Sequence, residues 1–436
     1  MCGRIPSGVR DAGGAMDGKR RHFMRLFLCP WAHVPARATC GALAVAVWLT
    51  AAALVPASCG GEEGGGASSS PTASASVRSG DASPSVSPSP TGVTAVGVGG
   101  DLAVVRPENG RWTVWRVTPA TGAAKRVVGL PFEPAAAAGS PDGRYVAYLA
   151  SWAKQRGWRR TLAVIDVAGG VAWPTLRGTG LRLVNDMTWL SPTELVVSGP
   201  VPKGHNSPQD DRLYVYDVRA DSFSRFHDIA GTEPSASVRT GAVAFRRVTQ
   251  LGDGLVPDVL DQLRLWRDGA EAGDPVVSET RSWDTPWSVS AEPVLSPDGR
   301  YVLAAETGSD SGVRWSLYRT QDAASLWTRN EWTAHPLVGA WDPQGRRLSF
   351  WGVPATRWGR TTVWVYDVET DRFRTSLAKR GERVVEGYVT GLDWSNGGNL
   401  AASTAENRER RVLVAPGGDP KAFTVLCAGD LPVWLD

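Results

Sequence analysis

The chain is poor in the residues that most often carry chemistry. It has five histidines and five cysteines in 436 residues. No HExxH or HxH spacing is present, and His205, His227 and His335, the histidines beyond residue 58, stand far apart. A histidine-based metal site or acid–base pair needs such groups on one element or one loop, so these read as isolated loop or surface residues. No GxSxG elbow, P-loop or EF-hand loop occurs, which removes three common routes to hydrolase, nucleotide and calcium chemistry. Cys2, Cys29, Cys40 and Cys59 all precede residue 60, leaving Cys427 alone in the remainder. One thiol builds neither a disulfide framework nor a thiolate metal site, and in TVLCAG it reads as a buried small hydrophobe. No cofactor and no metal are expected. A charge excess is lacking too. Residues 1–58 carry seven basic and two acidic groups, so the remainder holds 40 against 42. A near-neutral body disfavours nucleic acid as the main ligand, since phosphate binding needs a net basic face. Lysine is scarce as well: arginine outnumbers it 41 to 6, a ratio that a high-GC bacterial coding bias would give.

What the sequence has in abundance is a repeat. SPDGR occurs at Ser140–Arg144 and at Ser296–Arg300, each followed by a Tyr-Val β-run. Looser copies are SPTELVVSG at Ser191–Gly199, DPQGRRLSF at Asp342–Phe350 and SNGGNLAAS at Ser395–Ser403. Proline pre-sets φ and Asp-Gly or Asn-Gly supplies the positive φ of a tight hairpin, so each copy is a turn entering a strand. A second kind of strand follows each turn: TLAVIDV (Thr161–Val167), RLYVYDV (Arg212–Val218) and TVWVYDV (Thr362–Val368), with weaker copies LRLWRDG, RWSLYRT, RVLVAPGG and WTVWRVT. Gly143 to Thr193 is 50 residues, Gly299 to Gly345 is 46 and Gly345 to Gly397 is 52. The 106 residues between Thr193 and Gly299 leave room for two units, with Thr240-Gly241 as the missing turn. A unit of this size with two hairpins is a four-stranded propeller blade. These residues resemble the TolB-type, WD-repeat-like propeller family, whose blades carry SPDG turns and a YD-type strand. SPDG is not the Asp-box of sialidases, which has a residue between Asp and Gly.

The expected fold is therefore all-β, a seven-bladed β-propeller of four-stranded antiparallel blades over residues 97–436. Ring closure needs one blade made from both chain ends. LPVWLD (Leu431–Asp436) matches the start of a unit, with Asp101–Val105 and Trp112–Val117 as partners; TAVGV (Thr94–Val98) competes for the same place. Residues 1–58 read as a signal peptide. Lys19-Arg20-Arg21 and Arg25 give a basic n-region, and Gly41–Val55 is an apolar run too short to span a bilayer comfortably. Met1, Met16 and Met24 are each possible starts. Ala57-Ser58-Cys59-Gly60 resembles the lipobox of bacterial lipoproteins, with Pro56 where that box usually has Leu, Val or Ile. The resemblance implies lipidation of Cys59; a plain signal peptide cut nearby is the alternative. Residues 59–96, rich in Gly, Ser and Pro, bury too little surface to order and read as a solvated tether. The expected location is the extracytoplasmic face of the cell membrane, lipid-anchored.

Tryptophan is the remaining signal: twenty in all, 18 after Trp31 and Trp48 are set aside. A blade runs down, up, down, up, so the loops between second and third strands share a face with the connections between blades. This reasoning gathers Trp152, Trp158, Trp283, Trp287, Trp327, Trp332 and Trp358 on one face with Arg160 and Arg357. Aromatic rings offer large area with few rotors and arginine offers a planar donor fork, the chemistry of binding hot spots. The competing explanation is that tryptophans wedge between blades. The function expected is non-catalytic: a monomeric envelope lipoprotein whose propeller binds a protein, peptide or glycan. Two alternatives stand beside it. One is a glycosidase or lyase using Asp210, Asp211 or Asp284 at the channel mouth, which requires carboxylates about 5 to 10 Å apart. The other is an assembly or scaffold role, which the TolB-type resemblance implies. The lipoprotein expectation is directly testable: Cys59→Ala should abolish fatty-acid labelling and release the protein from the membrane fraction. Unchanged labelling and retention would refute it.

Overall fold

The computed structural model describes residues 98–150, 161–172, 181, 183–200, 211–251, 258–282, 289–307, 313–331, 338–352, 361–376, 387–406 and 409–436. These form seven antiparallel sheets. Their first strands touch one another in cyclic order and return to the start, so the sheets are blades around one axis. Blade 1 comprises Pro134–Gly139, Tyr145–Ala150, Leu162–Asp166 and Gly170–Ala172; blade 2 Asp186–Trp189, Glu194–Pro200, Asp211–Asp217 and Ser222–Ala230. Blade 3 comprises Thr232–Ala236, Val243–Leu251, Asp258–Arg267 and Val277–Ser282, with Ala270–Glu271 as a short extra strand. Blade 4 comprises Val289–Leu295, Tyr301–Thr307, Val313–Arg319 and Ser325–Glu331; blade 5 Gly339–Trp341, Arg347–Gly352, Thr362–Asp367 and Arg372–Thr375. Blade 6 comprises Tyr388–Trp394, Leu400–Glu406, Glu409–Ala415 and Thr424–Ala428. Blade 7 joins both chain ends, Asp430–Trp434 with Leu102–Glu108, Arg111–Thr118 and Ala123–Leu130. Every run of the second kind is the third strand of its blade.

The turn chemistry explains why the units start where they do. In blade 1 the Ser140 hydroxyl accepts the Tyr145 amide at 2.8 Å and donates to Asp142 Oδ1 at 2.6 Å. The Gly143 amide donates to the Ser140 carbonyl at 2.9 Å, with Gly143 at φ +67°. Ser296, Asp298, Gly299 and Tyr301 of blade 4 repeat this at 2.9, 2.6 and 2.8 Å, with φ +70°. In blade 5 Asp342 does the serine's work, accepting the Arg346 and Arg347 amides at 2.7 and 3.0 Å. In blade 6 the positive φ falls on Gly398 rather than Gly397, because the register counts three residues from Ser395, as it does from Ser140 to Gly143. The blade 2 turn is tighter, with Leu190 and Ser191 both donating to the Glu194 carbonyl.

Blades are then latched to their neighbours by tryptophan at the end of the first strand. The Trp189 indole donates to the Ala138 carbonyl of blade 1 at 2.9 Å, and Trp341 to Val294 of blade 4 at 3.0 Å. Trp434 donates to Asp393 of blade 6 at 3.2 Å, and Trp394 to the Ser349 hydroxyl of blade 5 at 2.9 Å. Tyr145 stacks beside Trp189 and Tyr301 beside Trp341, with centroids 6.2 and 6.1 Å apart. A buried indole carries both a large apolar area and a donor that must be satisfied, and the neighbouring blade supplies the acceptor.

Closure is by the C-terminal segment. Trp434, Val433 and Asp430 pair with Leu102, Ala103 and Val105, and the Leu435 amide donates to the Asp101 carbonyl at 2.9 Å. Leu431 and Val433 pack into the cluster shared with blade 1, Trp434 into the one shared with blade 6. The competing segment Thr94–Val98 lies outside the described residues except for Val98, which is buried beside Leu102 and Val104. Cys427 is buried, in keeping with its reading as a small hydrophobe. Deleting Asp430–Asp436 should cost about 5 kcal/mol, the transfer energy of Leu431, Val433 and Trp434, since among the described residues no other segment covers the blade 7 edge. Chemical denaturation of the truncated chain checks this; an unchanged midpoint would mean that another segment closes the ring.

Candidate functional site: the connector end of the ring

The ring has two chemically different ends. At the hairpin end, where first strands turn into second strands, the turns bond to one another. The Ser237 hydroxyl of blade 3 donates to the Pro297 carbonyl of blade 4 at 2.6 Å, and Arg239 reaches on to the Pro343 carbonyl of blade 5 at 2.7 Å. Gln344 of blade 5 donates to the Asn396 carbonyl of blade 6 at 3.3 Å, and the Asn396 amide to Asp436 Oδ1 at 3.3 Å. Gly143 of blade 1 lies so close to Leu435 and Asp436 that a Cβ there would meet their backbone at 2.5 to 2.9 Å. Charges at this end are held by near neighbours. Arg144 bonds Asp166 at 2.9 Å, and the Asp298 carboxyl, though burial works against it, is held below its ordinary range by Ser296 and Arg300.

At the connector end, where second strands lead to third strands and one blade passes to the next, two polar clusters stand out, one across the blade 6–7–1 seam and one inside blade 3. Arg410 of blade 6 bonds Asp430 of blade 7 and reaches Glu133, at the entry to blade 1, at 3.1 Å. Its guanidinium lies 4.9 Å over the Trp112 ring of blade 7. Thr390 and Ser403 hydroxyls meet at 2.7 Å, and Thr390 also donates to Asp430. In blade 3, Arg246 bonds Asp261 at 2.6 Å and Glu233 at 3.1 Å. Burial disfavours the Arg246 cation, but the two carboxylates outweigh it and raise its pKa. The Arg246 network, desolvated and mutually satisfied, sets which side chains face each other and contributes little net stability.

Of the residues that sequence reasoning gathered on this face, Trp152, Trp158, Arg160, Trp283, Trp287, Trp332, Arg357 and Trp358 lie outside the described residues. The strand ends that bracket them, Ala150 and Thr161, Ser282 and Val289, Glu331 and Val338, Gly352 and Thr361, are all at the connector end. Trp327 is a correction. Ser325–Glu331 is not a connection but the outer strand of blade 4, and Trp327 packs between blades, 5.5 Å from Phe350 and 5.2 Å from Phe373. Among the carboxylates of the glycosidase alternative, Asp211 is buried and accepts the Asn185 side-chain amide at 2.7 Å. Asp210 and Asp284 lie outside the described residues. His227 is stacked on Trp266 at 4.4 Å; His205 and His335 also lie outside them. Among the described residues no group of three or more His, Cys, Asp or Glu could hold a metal ion.

Comparison with known proteins adds no family. No family model matches the chain, and no curated protein does. Solved structures similar to it include TolB from Acinetobacter baumannii, 13% identical over 77% of this chain, with a TM-score of 0.39. That match covers 66% of the TolB chain, slightly under two thirds of its length. A hydrazine synthase of Kuenenia stuttgartiensis is 14% identical over 74% of this chain and 99% of its own, with a TM-score of 0.43. The Swd1 β-propeller domain of Myceliophteria thermophila is 12% identical over 72% and 96%, with a TM-score of 0.40.

Trp327→Ala should destabilise the fold by about 3 to 5 kcal/mol, as removal of a large ring from a packed aromatic cluster does. Denaturant titration reads this; a variant as stable as the parent would mean that the ring is not part of the blade 4–5 core.

Proposed function

We propose that the chain is a lipid-anchored, extracytoplasmic propeller that binds a protein, peptide or glycan of the cell envelope through its connector-end segments. One observation carries this reading. None of the eleven described tryptophans is exposed. The seven others beyond Cys59, which are Trp152, Trp158, Trp173, Trp283, Trp287, Trp332 and Trp358, all fall in segments that join strand ends at the connector end. No hairpin turn contains one. Core packing distributes large rings along strands at both ends alike, so a one-sided surplus outside the strands points to recognition. The interlocked hairpin end supports the same side, since its turns spend their polar groups on one another. Arg160 and Arg357 in those segments supply planar donors for carboxylate, phosphate or sugar hydroxyl groups. Cys59, at the end of an apolar run and before a Gly/Ser/Pro-rich stretch, supports anchoring at the outer face of the membrane.

The test is capture of the envelope partner by the purified full-length lipoprotein in detergent, followed by affinity measurement on folded variants. Trp158→Ala and Trp358→Ala should each weaken binding by about 1 to 3 kcal/mol. Replacing Arg219, exposed on a hairpin-end turn of blade 2, should leave affinity unchanged. The reverse pattern would move the interaction to the hairpin end.

A further inference from the structure

Arginines set into the sheets of this ring are matched to carboxylates: Arg246 to Asp261, Arg247 to Glu271, Arg347 to Asp342 and Arg410 to Asp430. Among the described residues Arg106 has no such match. It stands near the connector end of the second strand of blade 7, on the face that Leu102 and Val104 turn toward blade 6. Its Nε and Nη2 are buried and meet no acceptor among the described residues. These two nitrogens form one edge of the guanidinium, the fork that takes a carboxylate or phosphate by two parallel hydrogen bonds. The guanidinium carbon lies 5.4 Å from the centre of the Trp115 ring, and the Trp115 indole is likewise buried without an acceptor. Register explains the meeting: Arg106 is paired with Thr113 and Val104 with Trp115, so the two side chains are diagonal neighbours on one face. The acids of the adjoining elements are taken, Asp430 and Glu133 by Arg410, Glu409 by Arg411 and Asp101 by Arg116. The Cys427 thiol lies beside Arg106 but is only a weak acceptor. Burial pushes that thiol up against the pull of Arg106, so it stays neutral and offers no countercharge.

We propose that the Arg106 fork is an oxyanion site: with the Trp115 indole it takes one carboxylate or phosphate group of a small free anion, in the seam between blades 6 and 7. Arginine keeps its proton at every ordinary pH, so a desolvated fork is relieved only by an anion. Guanidinium and indole nitrogens are donors without acceptor capacity, so the ligand has to present acceptors alone. A carboxylate or phosphate does so and brings the missing charge. Both side chains are half-buried, so a small ligand reaches them from the connector end by rotamer shifts, without opening the ladder that closes the ring. The site lies apart from the tryptophan-bearing connecting segments, and its failure would leave the reading above untouched.

Titration of the full-length protein with inorganic phosphate and, separately, with acetate tests this, at constant ionic strength set by sodium chloride so that screening does not change. The readout is the indole N–H resonance of Trp115, assigned by its loss in Trp115→Phe. It should move saturably with at least one of the two anions, with a midpoint of about 1 to 10 mM, and the anion that saturates identifies the ligand as phosphate-type or carboxylate. The Trp434 indole, bound to the Asp393 carbonyl, should not move. Arg106→Gln should raise the midpoint by at least about tenfold. Arg106→Lys, which keeps the charge but not the fork, should raise it by at least about threefold, and it keeps the test available if the glutamine variant does not fold. A Trp115 resonance that saturates with neither anion up to about 100 mM would overturn the proposal. So would an unchanged midpoint in either arginine variant, or equal movement of the Trp434 indole.

Discussion

Everything in this ring depends on one short antiparallel ladder, the pairing of Trp434, Val433 and Asp430 with Leu102, Ala103 and Val105. A single blade exposes both faces of its sheet and gains burial only from neighbours. Seven blades in a row leave two uncovered faces, and the ladder removes both by building blade 7 from the two chain ends. The seam is correspondingly reinforced. Arg410 ties blades 6, 7 and 1 at the connector end, while Asp393 and the Trp434 indole tie blades 6 and 7 at the hairpin end.

Away from the seam, similar local solutions recur three blades apart. The Ser-Asp-Gly turn with a stacked Tyr and Trp appears at blades 1 and 4 against blades 2 and 5. The hydrogen bond from Tyr216 to Asp221 in blade 2, at 2.6 Å, is matched by Tyr366 to Asp371 in blade 5 at 2.9 Å. In both, a phenylalanine two residues further on lies 4.8 Å from the tyrosine ring. Blade 3 departs from this pattern. Its interior carries the Arg246–Asp261–Glu233 network where other blades place apolar or small residues, such as Leu149, Ser198 and Ala305.

The two ends of the ring divide the work. The turns from first to second strands at the hairpin end are short and bond to one another across blades, which holds the blades in register. The connector end is where the chain passes from one blade to the next, and the polar seam of Arg410, Asp430 and Glu133 lies there.

The sequence by itself determined the blade. Ser-Pro-Asp-Gly sets a turn through local hydrogen bonds and a positive φ, and these need no distant partner, so seven units, their strand types and the orphan start-of-blade strand at Leu431–Asp436 were all readable. The tertiary structure alone decided which tryptophans are structural. Trp327 sits in a segment whose length resembles a connection, and its role became visible only when Phe350 and Phe373 of the next blade closed over it. The same holds for Asp393, an ordinary acid in LDWSN until the other end of the chain, forty residues on, brings the Trp434 amide and the Asp436 charge against it. Such contacts are invisible in a linear reading because register within a blade is a local property. Contact between blades depends on the curvature of the whole ring.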